Sequence, residues 1–163
     1  MSVSVPVETR AALSVVDRLD IAEALGALQV HLDRHEWAQA AALLMPEVTV
    51  DYTSLGGEVT THSREALIGL WRSRLPGFDA HQHQVTNIVT RGGGDAAVTF
   101  SAMRATHWIG DRVWSMGGSY THHLTRMGDG WKIGFLGIGP NFSEGEPGLL
   151  AEAEARVARS GKP

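Results

Sequence analysis

Apolar side chains recur at helical spacing in three parts of the chain. The first helix is predicted from about Asp17, and its apolar face carries Ile21, Leu25, Leu28 and Leu32. A shorter helix is predicted over 37–44, ending at Pro46 because proline lacks the amide proton that continues a helix. Ser63 is a suitable N-cap for the third helix, which the Pro-Gly pair at 76–77 ends.

Residues 48–52 favour a strand, followed by a turn at 55–58. Beyond position 81 the pattern favours four long strands, at 83–90, 96–109, 113–127 and 131–142. Glycine and aspartate separate these strands, and both residue types tolerate the positive φ of tight hairpins. Successive strands joined by tight hairpins pair antiparallel, so we predict a meander.

A final helix is predicted over 149–159, after a Gly/Pro linker. The order of elements is that of an α+β fold, in which a curved antiparallel sheet wraps around the N-terminal helices as a cone-shaped barrel. The hollow between sheet and helices is a natural internal pocket for a small molecule. We divide the chain into an N-terminal arm at 1–16, the domain at 17–142, and a C-terminal linker and helix at 143–163.

The composition narrows the classes of function. The 163 residues suffice for one domain with a real core. The net charge of −4 argues against nucleic acid or an anionic membrane as partner. The absence of cysteine excludes disulfides, thiolate catalysis and cysteine zinc sites. No signal peptide or membrane span is visible, so we expect a cytoplasmic protein whose partner is a small organic molecule.

Histidines give the first indication of chemistry. The chain has 8 of them, and 5 lie at positions 81–83, 107 and 122–123. Asp33 lies late in the first helix, on a face that Val30 and Trp37 would turn inward, although a surface cap of the helix end is the alternative. His83 enters the first long strand, and an imidazole beside an inward carboxylate is a usable general base whose tautomer the carboxylate fixes.

Three further side chains are candidates for the same reaction. His107 lies in the strand that pairs with that of His83, although an outward-facing position is the alternative. Tyr52 and Tyr120 are the two tyrosines, both in predicted strands. Either hydroxyl could polarise a carbonyl or hold a water, or lie at the rim while the ring simply packs.

Other positions are candidates for substrate binding. His122 and His123 point to opposite faces of their strand, so at most one of them reaches the pocket. By strand parity, Arg104 and His107 point to opposite faces of the same strand, unless a bulge turns both inward. Trp71 and Met103 are among the large apolar residues that suggest a flat, largely apolar ligand, although such residues are more often core.

A metal site is the alternative use of the histidines. His81, His83, His107 and Asp33 together form a possible histidine–carboxylate ligand set. No compact motif such as HExxH supports it, and the ligands would come from three separate elements. We therefore expect no metal ion.

An ordered set of short motifs resembles a known family. LDRHEW at 32–37, VDY at 50–52, QH at 82–83, RATH at 104–107 and DGWK at 129–132 resemble the scytalone dehydratases. These enzymes belong to the SnoaL-like branch of the nuclear transport factor 2-like superfamily. The similarity in order and spacing runs from about 17 to 142.

The resemblance implies roles for particular residues. Asp33 matches the family's pocket aspartate, His83 and His107 match its two active-site histidines, and Tyr52 matches a tyrosine that helps to hold a water at the substrate carbonyl. It implies no metal or organic cofactor, a homo-oligomer in which a trimer is favoured over a dimer, and a C-terminal segment that covers the pocket.

Two departures concern specificity. Leu32 stands where the dehydratases have a second tyrosine, and His123 where they have a pocket asparagine. The resemblance therefore carries over the acid–base residues and not the substrate.

These features lead to a functional expectation. We expect a cofactor-independent dehydratase that removes a proton α to a carbonyl and expels a β-hydroxyl as water. His83 would be the base and Asp33 its orienting partner, and His107 would donate to the leaving group or return the proton. An isomerase or polyketide cyclase begins with the same proton abstraction, and a non-catalytic ligand-binding domain needs no inward Asp–His pair; both remain alternatives.

Overall fold

The computed structural model describes residues 11–161, so positions 1–10 of the predicted arm lie outside the described residues. Its helices are α1 (Val15–Asp33), α2 (Trp37–Ala42), α3 (Arg64–Arg72) and α4 (Leu149–Ser160). α1 begins slightly earlier than predicted because Ser14 caps it: Ser14 Oγ accepts a hydrogen bond from the Asp17 N–H, and the Asp17 carboxylate accepts one from the Ser14 N–H. Within 11–161 no helix has the length and apolar character to cross a membrane.

The strands form one six-stranded, mixed and mostly antiparallel sheet. They are β1 (Leu44–Asp51), β2 (Val59–Ser63), β3 (Ala80–Gly93), β4 (Ala96–Ile109), β5 (Arg112–Met127) and β6 (Gly130–Gly145). Their order across the sheet is β2-β1-β6-β5-β4-β3. β3 to β6 are the predicted meander, and Gly94 and Gly110, each with φ of 58°, allow two of its tight hairpins. The prediction of an α+β fold with N-terminal helices and a mostly antiparallel sheet is confirmed.

The other edge of the sheet differs from the prediction. α2 ends at Ala42 and β1 begins at Leu44, so Pro46 lies inside a strand instead of ending a helix. Pro46 falls between Leu44 and Thr49, where the pairing of β1 with β6 shifts register. A residue without an amide proton is tolerated at such an irregularity. β1 pairs with β6 in parallel, and the turn near 55–58 leads into β2, a strand that the sequence pattern did not predict.

α1 is held against the sheet along its length. Its apolar face is fully buried at Ile21, Leu25 and Leu28. Near its start, Asp17 pairs with Arg126 of β5 at 2.5 Å. At its end, Asp33 meets β3. These contacts fix where the last turn of the helix presents its side chains.

α4 packs over one end of the fold. Its Leu149 and Ala153 are buried, and ion pairs join it to the rest of the chain: Arg112–Glu152 at 2.8 Å, Arg156–Asp79 at 2.7 Å and Arg74–Glu154 at 2.5 Å. The backbone approaches most closely at Gly77, where an added Cβ would lie 2.0 Å from the carbonyl oxygen of Ala153. The lid role of this helix and the homotrimer stay predictions.

Replacing Gly77 by alanine is therefore expected to displace α4. Because the new methyl group meets backbone, we expect a loss of about 1–3 kcal/mol in the free energy of unfolding. Gly69→Ala, inside α3, is the matched control, since an added Cβ at Gly69 has no neighbour within 4 Å. Alanine is the better helix former by about 0.5–1 kcal/mol, so this control is expected to gain stability. Denaturant unfolding of both variants checks the prediction, and equal effects would contradict it.

Candidate active site

A cavity of about 350 Å³ lies between α1, the end of α3 and the inner face of the sheet. Most of its lining is aromatic or aliphatic, including Trp71, Trp114 and Leu150 of α4. The lining side chains that carry an amide, hydroxyl, guanidinium or imidazole group are Gln29, Tyr52, Arg74, His83, His107 and Tyr120. The cavity thus offers a few polar groups in an apolar setting, as small-molecule sites do.

Asp33 is tied to β3 by three hydrogen bonds. Its Oδ1 accepts from His83 Nδ1 at 2.7 Å and from His81 Nδ1 at 3.1 Å. Its Oδ2 accepts from the backbone N–H of His83 at 2.9 Å. Asp33 therefore points inward to β3, although it is not among the residues that line the cavity. Val30, which the sequence pattern placed on the same inward face, is 44% exposed, and Asp33 turns inward as the last residue of α1.

These hydrogen bonds determine the ionisation of Asp33 and which nitrogen of His83 donates to it. Burial would raise the pKa of Asp33, but the hydrogen bonds from His81 and His83 outweigh it and hold this pKa well below its usual range. An ionised carboxylate can only accept hydrogen bonds, so His83 carries its proton on Nδ1. In a neutral ring with this tautomer, Nε2 of His83 is the acceptor, and the ring lines the cavity.

A third histidine, His35, contacts His81, and the sequence pattern gave His35 no role. His35 Nε2 lies 2.9 Å from His81 Nε2, and the His35 ring stacks on Trp37 with centroids 5.2 Å apart. His35 has φ of 57°, a strained value for a residue other than glycine, because the chain turns sharply between α1 and α2. The position of His35 just after Asp33 was visible in the sequence, but its contact with His81 depends on this turn.

His107 lies opposite His81 on β4 and lines the cavity. Its ring centroid is 5.4 Å from that of His83, and it stacks on Trp114 at 4.9 Å. Burial, with the neighbouring His83 and His81, lowers the pKa of His107 to about 3. His107 is therefore a neutral imidazole near pH 7. In that state it is a hydrogen-bonding group, not an acid that has a spare proton.

Tyr52 and Tyr120 both line the cavity. Burial raises the pKa of Tyr52, with the Trp71 side chain and Arg74 opposing the shift. Burial raises that of Tyr120 further, assisted by Tyr52 and Asp33. Both phenols are therefore protonated donors near pH 7.

The other predicted site residues divide between the cavity and its surroundings. Trp71 lines the cavity, whereas Met103 is buried in the core outside its lining. Arg104 faces outward, as strand parity requires, and contacts Ser115 and Glu144. His123 is exposed and stacks on Phe135 at 4.5 Å. The geometry therefore places Met103, Arg104 and His123 away from the cavity lining.

His122 is the inward member of its pair. It is fully buried beside Tyr120, with ring centroids 5.3 Å apart. Neither of its ring nitrogens has a hydrogen-bond partner within 11–161. The buried hydroxyls of Thr99, opposite His122 on β4, and of Ser101, opposite Tyr120, lack one in this range as well. Burial, with a smaller effect of His123, lowers the pKa of His122 to about 4.

Three groups at the site could in principle hold a metal ion. Ligand atoms of Asp33, His81 and His83 lie within 4.8 Å of one another. The same atoms hydrogen-bond one another through Asp33 Oδ1, so an ion bound there would replace both imidazole–carboxylate hydrogen bonds. The absence of a metal and of an organic cofactor stays a prediction.

Comparisons with known proteins agree on the scaffold. Residues 14–136 match the SnoaL-like domain family. The fold matches the Kfla4162 protein of Kribbella flavida (24% identity, 85% of this chain and 97% of that chain, TM-score 0.77). It also matches a candidate scytalone dehydratase of Novosphingobium aromaticivorans (18%, 81% and 89%, 0.72). A hexachlorocyclohexane dehydrochlorinase of Novosphingobium barchaimii matches as well (17%, 83% and 96%, 0.64). No curated protein sequence matches the chain.

The two buried histidines predict an acid-sensitive fold. His107 and His122 stay neutral when folded, with pKa values of about 3 and about 4, but each imidazole takes up a proton near pH 6.5 when the chain unfolds. The unfolded state therefore binds more protons as the pH falls below about 6.5, and the free energy of unfolding decreases.

His122→Leu is expected to make this decrease shallower, because it removes one of the two groups and replaces unpaired nitrogens with an apolar side chain. Urea unfolding between about pH 7 and about pH 5 measures the slope. His123→Gln, at the exposed neighbour, is the control and is expected to keep the wild-type slope. An unchanged slope for His122→Leu would show that this pKa is not depressed.

Proposed function

We propose that this chain, which belongs to the SnoaL-like domain family, is a cofactor-independent lyase that dehydrates a β-hydroxy carbonyl compound. The observation that supports this most is the 2.7 Å hydrogen bond from His83 Nδ1 to Asp33 Oδ1, with the His83 ring lining an apolar cavity. It presents an imidazole nitrogen, on a ring whose other nitrogen contacts a negative charge, where a substrate would bind.

His83 is the base in this proposal. Its Nε2 takes the proton from the carbon α to the carbonyl, and Asp33 stabilises the imidazolium that forms. The electron pair of the broken C–H bond becomes that of an enolate. Collapse of the enolate forms the C=C bond and breaks the C–O bond at the β-carbon. The hydroxide that leaves takes a proton from the imidazolium, so water is released and His83 returns to its starting state.

The tyrosines and His107 act on the developing charges. Tyr52 and Tyr120, kept protonated by burial, donate hydrogen bonds to the enolate oxygen directly or through water. One such donor is typically worth about 3–4 kcal/mol in the transition state. His107 hydrogen-bonds the departing oxygen as a neutral imidazole and leaves the proton transfer to His83. This revises the expectation that His107 returns the proton, because the pKa of His107 is about 3.

The comparisons show the scaffold and leave the reaction open. One similar structure is that of a candidate dehydratase and another that of a dehydrochlorinase, but identities below 25% show the fold alone. An isomerase or cyclase would use the same base. Product mass separates these reactions, because only dehydration removes one water from the substrate.

His83→Ala is expected to lower kcat by roughly 10²- to 10⁴-fold, the usual contribution of a general base. Asp33→Asn is expected to lower kcat as well, because an amide cannot stabilise the imidazolium. The assay screens small cyclic β-hydroxy ketones with wild-type protein and follows the loss of water by mass spectrometry. His123→Gln removes an exposed imidazole outside the cavity and is expected to keep wild-type turnover. If His83→Ala and Asp33→Asn both retained full turnover of the substrate found, the assignment of the base would be wrong.

A further inference from the structure

Arg74 is the one permanently charged side chain among the described residues that line the cavity. It follows α3, at the start of the single turn over Leu75–Gly77 that leads towards β3. Its side chain is 32% exposed. No carboxylate shares the lining with it. Its ion-pair partner, Glu154 of α4, lies outside the lining, so the part of this cation that lines the apolar cavity is suited to an anionic ligand.

The hydrogen bonds of Arg74 leave its outer edge available. Its Nε donates to Glu154 Oε1 at 2.5 Å, and this is the one side-chain hydrogen bond that Arg74 makes within 11–161. The two terminal nitrogens, Nη1 and Nη2, are therefore unused. Parallel N–H groups of a guanidinium match the two oxygens of a carboxylate, which makes such pairs strong and directional.

We propose that Arg74 binds a carboxylate group of the substrate, so that the natural substrate is a flat, largely apolar carboxylic acid. This deepens the proposed function and rests on it only in taking the cavity as the substrate site. Arg74 and Tyr52 line the same cavity, and Arg74 opposes the rise in the pKa of Tyr52 that burial causes. The acid group would thus hold the substrate while its carbonyl faces the phenols.

A structural role in holding α4 is the competing explanation for Arg74. Glu154 belongs to α4, and Leu150 of the same helix lines the cavity. α4 is also held by Arg112 on Glu152 and by Arg156 on Asp79, as well as by its buried apolar residues. The pair with Glu154 is therefore one of several attachments. Its loss is expected to leave the helix docked.

The test compares two ligands of nearly the same shape, 2-naphthoate and 2-naphthamide, by isothermal titration calorimetry. The wild-type protein is expected to bind the carboxylate at least about tenfold more tightly than the amide. Arg74→Gln is expected to weaken carboxylate binding by roughly 10- to 100-fold and to leave amide binding unchanged, as the loss of a charged hydrogen-bonding partner predicts. Arg74→Lys keeps the positive charge but loses the paired N–H groups of the guanidinium. Its affinity for the carboxylate is expected to lie between those of wild type and Arg74→Gln, and it replaces Arg74→Gln in the test if that variant does not fold.

Glu154→Gln is the matched control, because it removes the attachment to α4 and keeps the guanidinium. We expect it to preserve or increase the preference for the carboxylate. If wild type shows no such preference, or if Arg74→Gln and Glu154→Gln weaken both ligands alike, Arg74 serves α4 and the proposal is wrong. Binding is read without turnover, so the failure of this proposal is distinguishable from failure of the dehydratase assignment.

Discussion

The carboxylate of Asp33 lies largely out of water, and the three hydrogen bonds that replace its hydration determine the geometry of the cavity. An ionised carboxylate without donors would cost several kcal/mol. Its donors are the backbone of β3 and two imidazoles on that strand, so α1 has to end where β3 begins. The pair of Asp17 with Arg126 fixes the other end of the helix. The contacts that position α1 on the sheet therefore also position the side chains of the site.

The same hydrogen bonds separate the roles of the polar groups in the cavity. His83 has a fixed proton on Nδ1, which leaves Nε2 as acceptor. The pKa shifts keep the phenols of Tyr52 and Tyr120 protonated and the ring of His107 neutral. Arg74 supplies a permanent positive charge. The proposed chemistry follows from this distribution: one group is ready to accept a proton, and the others can donate hydrogen bonds to oxygen atoms.

Periodicity predicted the elements better than it predicted their contacts. The meander from β3 to β6 followed from glycine and aspartate at the turns. The family resemblance indicated the Asp33–His83 pair, whereas the helix face proposed for Asp33 was wrong, since Val30 on that face is exposed. β2 was missed because its alternation of polar and apolar residues is weak. Parity could not decide between His122 and His123, since one bulge reverses the faces, and the resemblance favoured His123, which the structure places outside. His35 and Arg74 depend on turns whose backbone geometry no sequence pattern specified.

The decisive measurement for His83 as the base is which of its ring nitrogens carries the proton. Two-bond ¹⁵N–¹H correlation spectra of the histidine rings distinguish a protonated nitrogen from a bare one near pH 7. We predict that His83 carries its proton on Nδ1 with Nε2 unprotonated, and that Asp33→Asn abolishes this preference while His123, outside the cavity, is unaffected. A spectrum in which Nε2 of His83 is the protonated nitrogen, with no response to Asp33→Asn, would contradict the account.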